Sequence, residues 1–260
     1  MHDKTHSTFI PPEDQNTKIW RYMDYPKFVS LIDKKSLFFI KAIKFDDPYE
    51  GTIPKYNDVA RREVYQEEKQ KFKDEEQFEQ FLRAALGVNK NIHDRWRKII
   101  LINSWHLNDY ESAAMWDLYS RRNAGIAIQS TYGKLSQSLE KSYEDRVYIG
   151  KVKYIDYENE WMNEWNVYQA FVIKRKSFQH EQELRAITYL PESDSEAKRI
   201  NPVELTDHGK YVKADIKVLI EKIYVAPKTS RYFHEGIKSI AEKFNIDKDL
   251  VIVSDLYSVK

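Results

Sequence analysis

Short apolar runs of strand length recur along this chain, separated by amphipathic helical patterns, and they constrain its fold more than any other feature. Strands in globular proteins are usually 3–10 residues long, whereas helices show apolar residues three and four positions apart. The strand-like runs are Ile19–Met23, Leu37–Ile40, Leu101–Trp105, Gly125–Ile128, Val147–Tyr157, Glu183–Leu190, Tyr211–Ile216, Ile223–Val225 and Leu250–Ser254. Helical patterns lie between these runs, but strands and helices do not alternate strictly along the chain. The sequence therefore predicts a mixed α+β fold.

The domain organisation follows from the same pattern. Residues 1–16 are polar and contain Pro11-Pro12, so we predict a mobile N-terminal arm. Residues 17–260 are then a single α+β domain, which suits a chain of 260 residues. The stretch at about 56–100 is charged and helical with sparse apolar positions, and we interpret it as a large helical insertion over the core.

The composition excludes several classes of protein. The chain has no cysteine, which excludes disulfides, cysteine nucleophiles and thiolate zinc sites and fits a reducing cytoplasm. Its 42 basic and 41 acidic residues do not suggest a general nucleic-acid binder, although a local basic patch stays open. We find no apolar run long enough to cross a membrane and no apolar core of a signal peptide. The seven histidines are scattered, so we expect no metal.

The strongest candidate for chemistry is Glu181-x-Glu183-x-Arg185, at the start of the strand-like run ending at Leu190. Residues two apart on a strand point to the same face, so all three charges share one face. One carboxylate can stabilise a developing cation and the other can deprotonate an acceptor. We expect Glu183 to be the reactive group, Glu181 an auxiliary, and Arg185 the partner that keeps them ionised. The alternative is a surface strand with weak ion pairs.

Two further patterns place polar groups beside aromatic rings. Trp20-Arg21-Tyr22 can grip a phosphate through the guanidinium group while a ring supports a flat ligand. Ser104-Trp105 can supply a hydroxyl and a stacking ring at a strand end. Each pattern also fits an ordinary strand, with Arg21 facing solvent or with Ser104 entering a turn.

An acidic turn and an aromatic helix complete the candidates. The segment Phe45–Gly51 contains Asp46, Asp47 and Glu50, which can bind Mg²⁺ but more often form a capped turn. The helical pattern Met115-Trp116-x-x-Tyr119 is typical of core packing, although Tyr119 can also form a pocket wall. The chain contains neither a phosphate-binding loop nor Gly-x-Gly-x-x-Gly, which excludes the nucleotide-binding folds that use them.

Taken in order, these motifs together with Gly125-Ile126-Ala127-Ile128 resemble the bacterial family called domain of unknown function 2971, over residues 18 to 255. The order is also similar to that of one clade of ADP-ribosyltransferases, in which an Arg, a Ser and Glu-x-Glu lie on successive strands. In this chain, Ser104 is followed by Trp105 and His106 rather than by the usual Thr-Ser.

The second resemblance implies a split, mostly antiparallel β-sheet core that binds NAD as a substrate in a cleft. It implies that Arg21 holds a phosphate, Ser104 orients Glu183, and Glu183 stabilises the oxocarbenium ion as nicotinamide leaves. Trp105 or Tyr22 would stack on nicotinamide. The implied activity is that of an ADP-ribosyltransferase acting on a macromolecule or of an NAD glycohydrolase. Families of this kind often occur in phage-defence or toxin settings.

Two other functions stay open at this point. In a Mg²⁺-dependent nuclease, Asp46 or Asp47 would pair with Glu183 around the metal, with Arg185 where such sites usually carry Lys. In a non-catalytic module, the charged helix at 58–86 would dock a protein, or the cleft would bind a nucleotide without turnover.

Overall fold

The computed structural model describes residues 6–67, 69–119, 124–140, 146–164, 166–190 and 205–258, and of residues 88–90 only the backbone. In this part of the chain the strands are β1 (Lys18–Asp24), β2 (Ser36–Lys41), β3 (Ile100–Leu107), β4 (Gly125–Thr131), β5 (Tyr148–Lys151), β6 (Lys153–Ile155), β7 (Ile173–Arg175), β8 (Glu183–Tyr189), β9 (Gly209–Lys213), β10 (Lys222–Val225) and β11 (Val251–Val253). The α-helices are α1 (Tyr25–Lys34), α2 (Lys55–Glu67), α3 (Glu75–Ile99), α4 (Ala113–Tyr119), α5 (Tyr132–Leu139), α6 (Ile216–Leu219) and α7 (Arg231–Lys243).

Local sequence signals explain where the helices begin and which faces they bury. Asp24 caps α1 by accepting a hydrogen bond from the Lys27 amide, and the helix buries Phe28, Leu31 and Ile32. Asp74 caps the long helix α3 in the same way. Helices α2 and α3 lie within the range predicted for the helical insertion.

The strands form one large sheet in the order β11-β10-β4-β1-β3-β2-β9, and β8 pairs with both β3 and β5. All pairs in this sheet are antiparallel except β10 with β11. The short strands β6 and β7 form a separate parallel pair. The predicted α+β fold with a mostly antiparallel sheet is therefore confirmed.

The sheet splits at β3. Strand β8 pairs with β3 along residues 100 to 106, which occupies one edge of β3. The other edge pairs with β2 at Leu101 and Ile102 and with β1 at His106 and Leu107. Between these two pairings, β1 and β2 diverge at Ser104, and an opening forms in the sheet.

Apolar side chains cover both faces of the sheet. The larger buried cluster joins β-strand residues such as Ile19 and Trp105 to helices α1, α5 and α7. A second buried cluster lies against Ile102 and Ile187 and includes Phe171. Side chains at the opening therefore lie between two packed layers, where water is largely excluded.

Residues 6–16 differ from the mobile arm that the sequence predicts. Phe9 is buried and stacks on Tyr148, with ring centroids 4.9 Å apart. The Ile10 carbonyl oxygen accepts a hydrogen bond from the amide of Lys151, at the end of β5. An aromatic residue in an otherwise polar segment supplies the apolar contact that holds this part of the chain on the domain. None of the helices within the described ranges is long and apolar enough to cross a membrane.

Candidate active site

A cavity of about 530 Å³ lies where the sheet splits. This volume is within the usual range of small-molecule sites. The cavity brings together every site residue predicted from the sequence, namely Arg21, Tyr22, Ser104, Trp105, Tyr119, Glu181 and Glu183. The sequence order of these residues therefore corresponds to a shared location.

Residues from opposite faces of the sheet line the cavity at the opening. Glu183 lies directly opposite His106 in the β3–β8 ladder, so both point to the same face as Ser104. Trp20 pairs with His106, so the next residue on β1, Arg21, points to the opposite face of the sheet, which is also the face of Trp105. The guanidinium Nη1 of Arg21 donates a hydrogen bond of 2.7 Å to the Ser104 carbonyl oxygen. Arg21 and the two glutamates line the same cavity, and the Tyr119 phenol interacts electrostatically with all three.

Arg21 has no carboxylate partner among the residues that the structure describes. Removal from water lowers the pKa of its guanidinium group from 12.5 to about 10, so the group stays charged at neutral pH. The Trp105 ring supports it, with the Cζ atom 5.9 Å from the ring centroid. Within the described residues, this partly buried cation contacts a carbonyl oxygen and the Trp105 ring but no carboxylate, so it is suited to bind an anion.

Glu183 is held by a buried ionic network. Arg185 Nε donates to Glu183 Oε2 at 2.8 Å, and Arg185 Nη2 donates to Oε1 at 3.1 Å. The opposite edge of the same guanidinium group pairs with both oxygens of Glu50, at 2.6 and 2.9 Å. The side chains of Arg185 and Glu50 are fully buried. The expected role of Arg185 as a partner is therefore seen for Glu183.

Glu181 is held by a different cation. The Lys174 ammonium group lies 2.7 Å from Glu181 Oε2 and 2.8 Å from Glu183 Oε1. His106 Nδ1 lies 2.6 Å from the Glu181 carbonyl oxygen and must carry the proton, because a carbonyl oxygen only accepts. These contacts fix both the backbone and the side chain of Glu181 beside Glu183.

The pKa values of the two carboxyl groups are shifted in opposite directions. Burial and the neighbouring Glu183 charge raise the pKa of Glu181 to about 7, although Lys174 opposes the shift. Burial also acts to raise the pKa of Glu183, but Arg185 and Lys174 together hold it far below its ordinary value. At neutral pH, Glu183 is therefore a fixed anion and Glu181 can exchange a proton.

The structure gives Ser104 a different role from the one implied by the resemblance. Its hydroxyl oxygen is buried and has no hydrogen-bond partner in the described part of the chain, so it does not orient Glu183. Arg185, Lys174 and the Tyr154 hydroxyl hold Glu183 instead, the last accepting from the Glu183 amide at 2.8 Å. The Ser104 carbonyl contributes by holding Arg21.

The aromatic residues also differ in their availability to a ligand. Trp105 is 1% exposed, and its indole nitrogen donates to Asn103 Oδ1. Tyr22 is buried and its hydroxyl accepts from the Ser112 amide. Tyr119 keeps 43% of its surface exposed and lines the same cavity. Of the three predicted rings, Tyr119 is therefore the one that a ligand can reach without repacking the core.

The acidic turn does not assemble the arrangement expected for a nuclease. Asp47 pairs with Arg175 at 2.9 Å and also accepts from the Tyr49 amide. Glu50 is the acid that reaches the network around Glu183, through Arg185. In the described ranges, no group of three or more acidic or histidine side chains is arranged to hold a metal ion.

Sequence reasoning missed the importance of Lys174 and Glu50. Lys174 lies within the basic run Lys174-Arg175-Lys176, which is typical of an exposed surface. Glu50 lies 135 positions from Arg185, so no local spacing connects them. The adjacent apolar residues Val172 and Ile173 before this run were the available sign that a buried strand begins there.

Comparisons with known proteins give little further information. No protein-family model and no curated protein match the chain. Among solved structures, the chain is similar to Thermus sp. 2.9 DarT in complex with NAD⁺, with 10% sequence identity and a TM-score of 0.35. That similarity covers 93% of this chain and 100% of the other. At this level it carries no argument about function, and membership of the domain of unknown function 2971 stays a prediction.

Proposed function

We propose that this protein consumes NAD⁺ as a substrate, either as an ADP-ribosyltransferase or as an NAD glycohydrolase. One observation supports the proposal above all. A single cavity contains the guanidinium group of Arg21, which has no carboxylate partner in the described part of the chain, and the carboxylate of Glu183, which is held ionised.

The charges of NAD⁺ complement this arrangement. Its pyrophosphate is anionic and suits the planar donors of Arg21. Its nicotinamide ring is cationic and suits the end of the cavity that contains Glu183 and Glu181. Tyr119 offers an exposed face for an aromatic ring. A nucleotide without a cationic ring satisfies only the Arg21 end.

In the proposed reaction, the bond between nicotinamide N1 and ribose C1′ breaks, and nicotinamide leaves with the bonding electrons. The ribose then carries an oxocarbenium charge, which the fixed charge of Glu183 stabilises. Glu183 Oε2 receives one hydrogen bond, from Arg185, and so retains capacity to accept from a ribose hydroxyl. An acceptor forms the new bond to C1′ as Glu181 removes its proton. With water as acceptor, the products are ADP-ribose, nicotinamide and a proton.

Nicotinamide release from NAD⁺ by the purified protein tests this function. We expect release by the wild type and a decrease of about 10²-fold or more in Glu183→Gln, because the fixed charge is lost. Glu158→Gln is the matched control, since Glu158 is exposed and pairs with Lys55 outside the cavity. Equal release by wild type and Glu183→Gln, or none with water or a protein or nucleic-acid acceptor, would contradict the proposal.

Binding measurements separate catalysis from recognition. We expect NAD⁺ to bind more tightly than NADH, whose nicotinamide ring is neutral, and Arg21→Met to weaken both. NAD⁺ binding without turnover would instead indicate a non-catalytic nucleotide-binding module. The toxin or phage-defence setting implied by the sequence resemblance is part of the proposal, and loss of growth on expression, relieved by Glu183→Gln, tests it.

A further inference from the structure

Lys174 is the one cation in the described chain that contacts both carboxylates of the cavity. Its side chain is 8% exposed, and its ammonium group bridges Glu181 and Glu183 at 2.7 and 2.8 Å. The Phe178 ring lies 4.4 Å from the same nitrogen, a cation–π contact that helps to fix it. Glu181 and Glu183 are thereby tied to β7, a strand outside the main sheet.

We propose that Lys174 is a positioning residue of the cavity, whose charge holds both carboxylates in place and keeps Glu181 able to lose its proton near neutral pH. The roles of the two carboxylates rest on the proposed function, whereas the geometry that assigns them does not. Lys174 touches Glu183 on the oxygen that Arg185 Nη2 also reaches. Glu183 therefore faces two cations, and Glu181 faces one.

Arg185, which contacts Glu183 and not Glu181 in the described chain, accounts for this difference, whereas Lys174 holds both carboxylates. The other groups that face Glu181 in the described residues are Glu183, the phenols of Tyr119 and Tyr154, and the imidazole of His106. Burial lowers the pKa of His106, so it supplies no positive charge at neutral pH. Burial also acts against the charge of Lys174, yet the two glutamates raise its pKa above the ordinary value. Lys174 thus stays cationic while Glu181 titrates.

Removal of this charge has a measurable consequence. An opposite charge within hydrogen-bond distance lowers the pKa of a carboxyl group by about 1–3 units. In Lys174→Gln, we expect the pKa of Glu181 to rise by at least about 1 unit. The pH at which nicotinamide release reaches half its maximum should move upward by a similar amount. Lys174→Arg keeps the charge and should restore most of the wild-type titration.

The test is carboxyl-carbon NMR titration of glutamate-labelled protein without NAD⁺, together with the pH profile of nicotinamide release. The Glu181 resonance is assigned from its absence in Glu181→Gln. Lys176→Gln is the matched control, because this lysine is 57% exposed and pairs with Glu160 outside the cavity. An unchanged titration of Glu181 in Lys174→Gln would overturn the proposal.

The two proposals fail in different ways. If the wild type releases no nicotinamide, the proposed function fails, but the titration still decides the role of Lys174. If Lys174→Gln does not fold, the wild type decides it: the Lys174 ammonium resonance in lysine-labelled protein must shift as Glu181 titrates near neutrality, because the two groups are in contact, and an unshifted resonance would overturn the proposal. Two glutamates that both titrate at ordinary values would refute the role of Lys174.

Discussion

Replacement of Arg185 by Met should cause the largest loss of stability of any single change to the ionic network. The guanidinium group is fully buried and makes two hydrogen bonds to Glu50, two to Glu183 and one of 2.8 Å to the Phe171 carbonyl oxygen. Removing one partner of a buried ion pair typically costs about 3–5 kcal/mol, because the remaining charge stays buried. Since two carboxylates lose their main partner, we expect about 4 kcal/mol, near the middle of that range.

Urea denaturation followed by tryptophan fluorescence measures this loss. Lys55→Met is the control, because Lys55 and Glu158 form an exposed pair that should contribute little. The double variant Glu50→Leu/Arg185→Met should lose less stability than the sum of the two single variants, because Arg185→Met alone leaves the Glu50 charge buried without its partner. A loss below about 1 kcal/mol for Arg185→Met would refute the reasoning, since it would mean that the network is solvated or replaceable.

Three further predictions concern the pH dependence and the packing of the fold. The folded-state pKa of Glu181 is about 7, above its ordinary value of 4.5, so the free energy of unfolding of the wild type should fall as pH rises from 4.5 to 7. Denaturation curves should therefore show that Glu181→Gln becomes more stable relative to the wild type at pH 8 than at pH 5. The same stability difference between variant and wild type at both pH values would contradict this. Phe9→Ala should lower the free energy of unfolding by about 3 kcal/mol, and an unchanged value would indicate a mobile arm. Gly209→Ala should lower the melting temperature, because a Cβ there collides with the Phe39 carbonyl oxygen, whereas Gly236→Ala, with open space around it, should not.

The fold class could be predicted because its signals are local. Short apolar runs identify strands such as β3 and β8, and the helical spacing of Phe28, Leu31 and Ile32 identifies α1. The residues that line the cavity could be predicted only from the order in which their motifs occur along the chain. Arg21 reaches Ser104 because β1 and β2 diverge where they pair with the same edge of β3. No local sequence pattern indicates that these distant strands pair in this way.

The roles within the cavity could not be predicted, because they depend on contacts between distant residues. From sequence, we expected Glu183 to be the reactive group and Glu181 an auxiliary, but no pattern predicted the contacts that shift their pKa values in opposite directions. Arg185 distinguishes the two carboxylates because it contacts Glu183 alone, whereas Lys174 contacts both. Lys174 and Glu50, the other partner of Arg185, lie in segments whose composition is typical of exposed turns and surfaces. Likewise, Trp105 was expected to stack on a ligand, but the alternation of β3 places its ring in the core beneath Arg21.

The contrast between Arg21 and Arg185 indicates where the cavity needs a ligand. Arg185 is fully buried, and Arg21 is partly buried at the cavity. Arg185 is compensated by Glu50 and Glu183, and its pKa is raised, whereas the pKa of Arg21 falls to about 10 because no described carboxylate offsets its burial. The described part of the fold supplies two carboxylates to Arg185 and none to Arg21. The charge of Arg21 is therefore left without an opposite charge beside it. Since Ser104 provides only a carbonyl oxygen, an anionic group of the substrate is the partner that would satisfy Arg21.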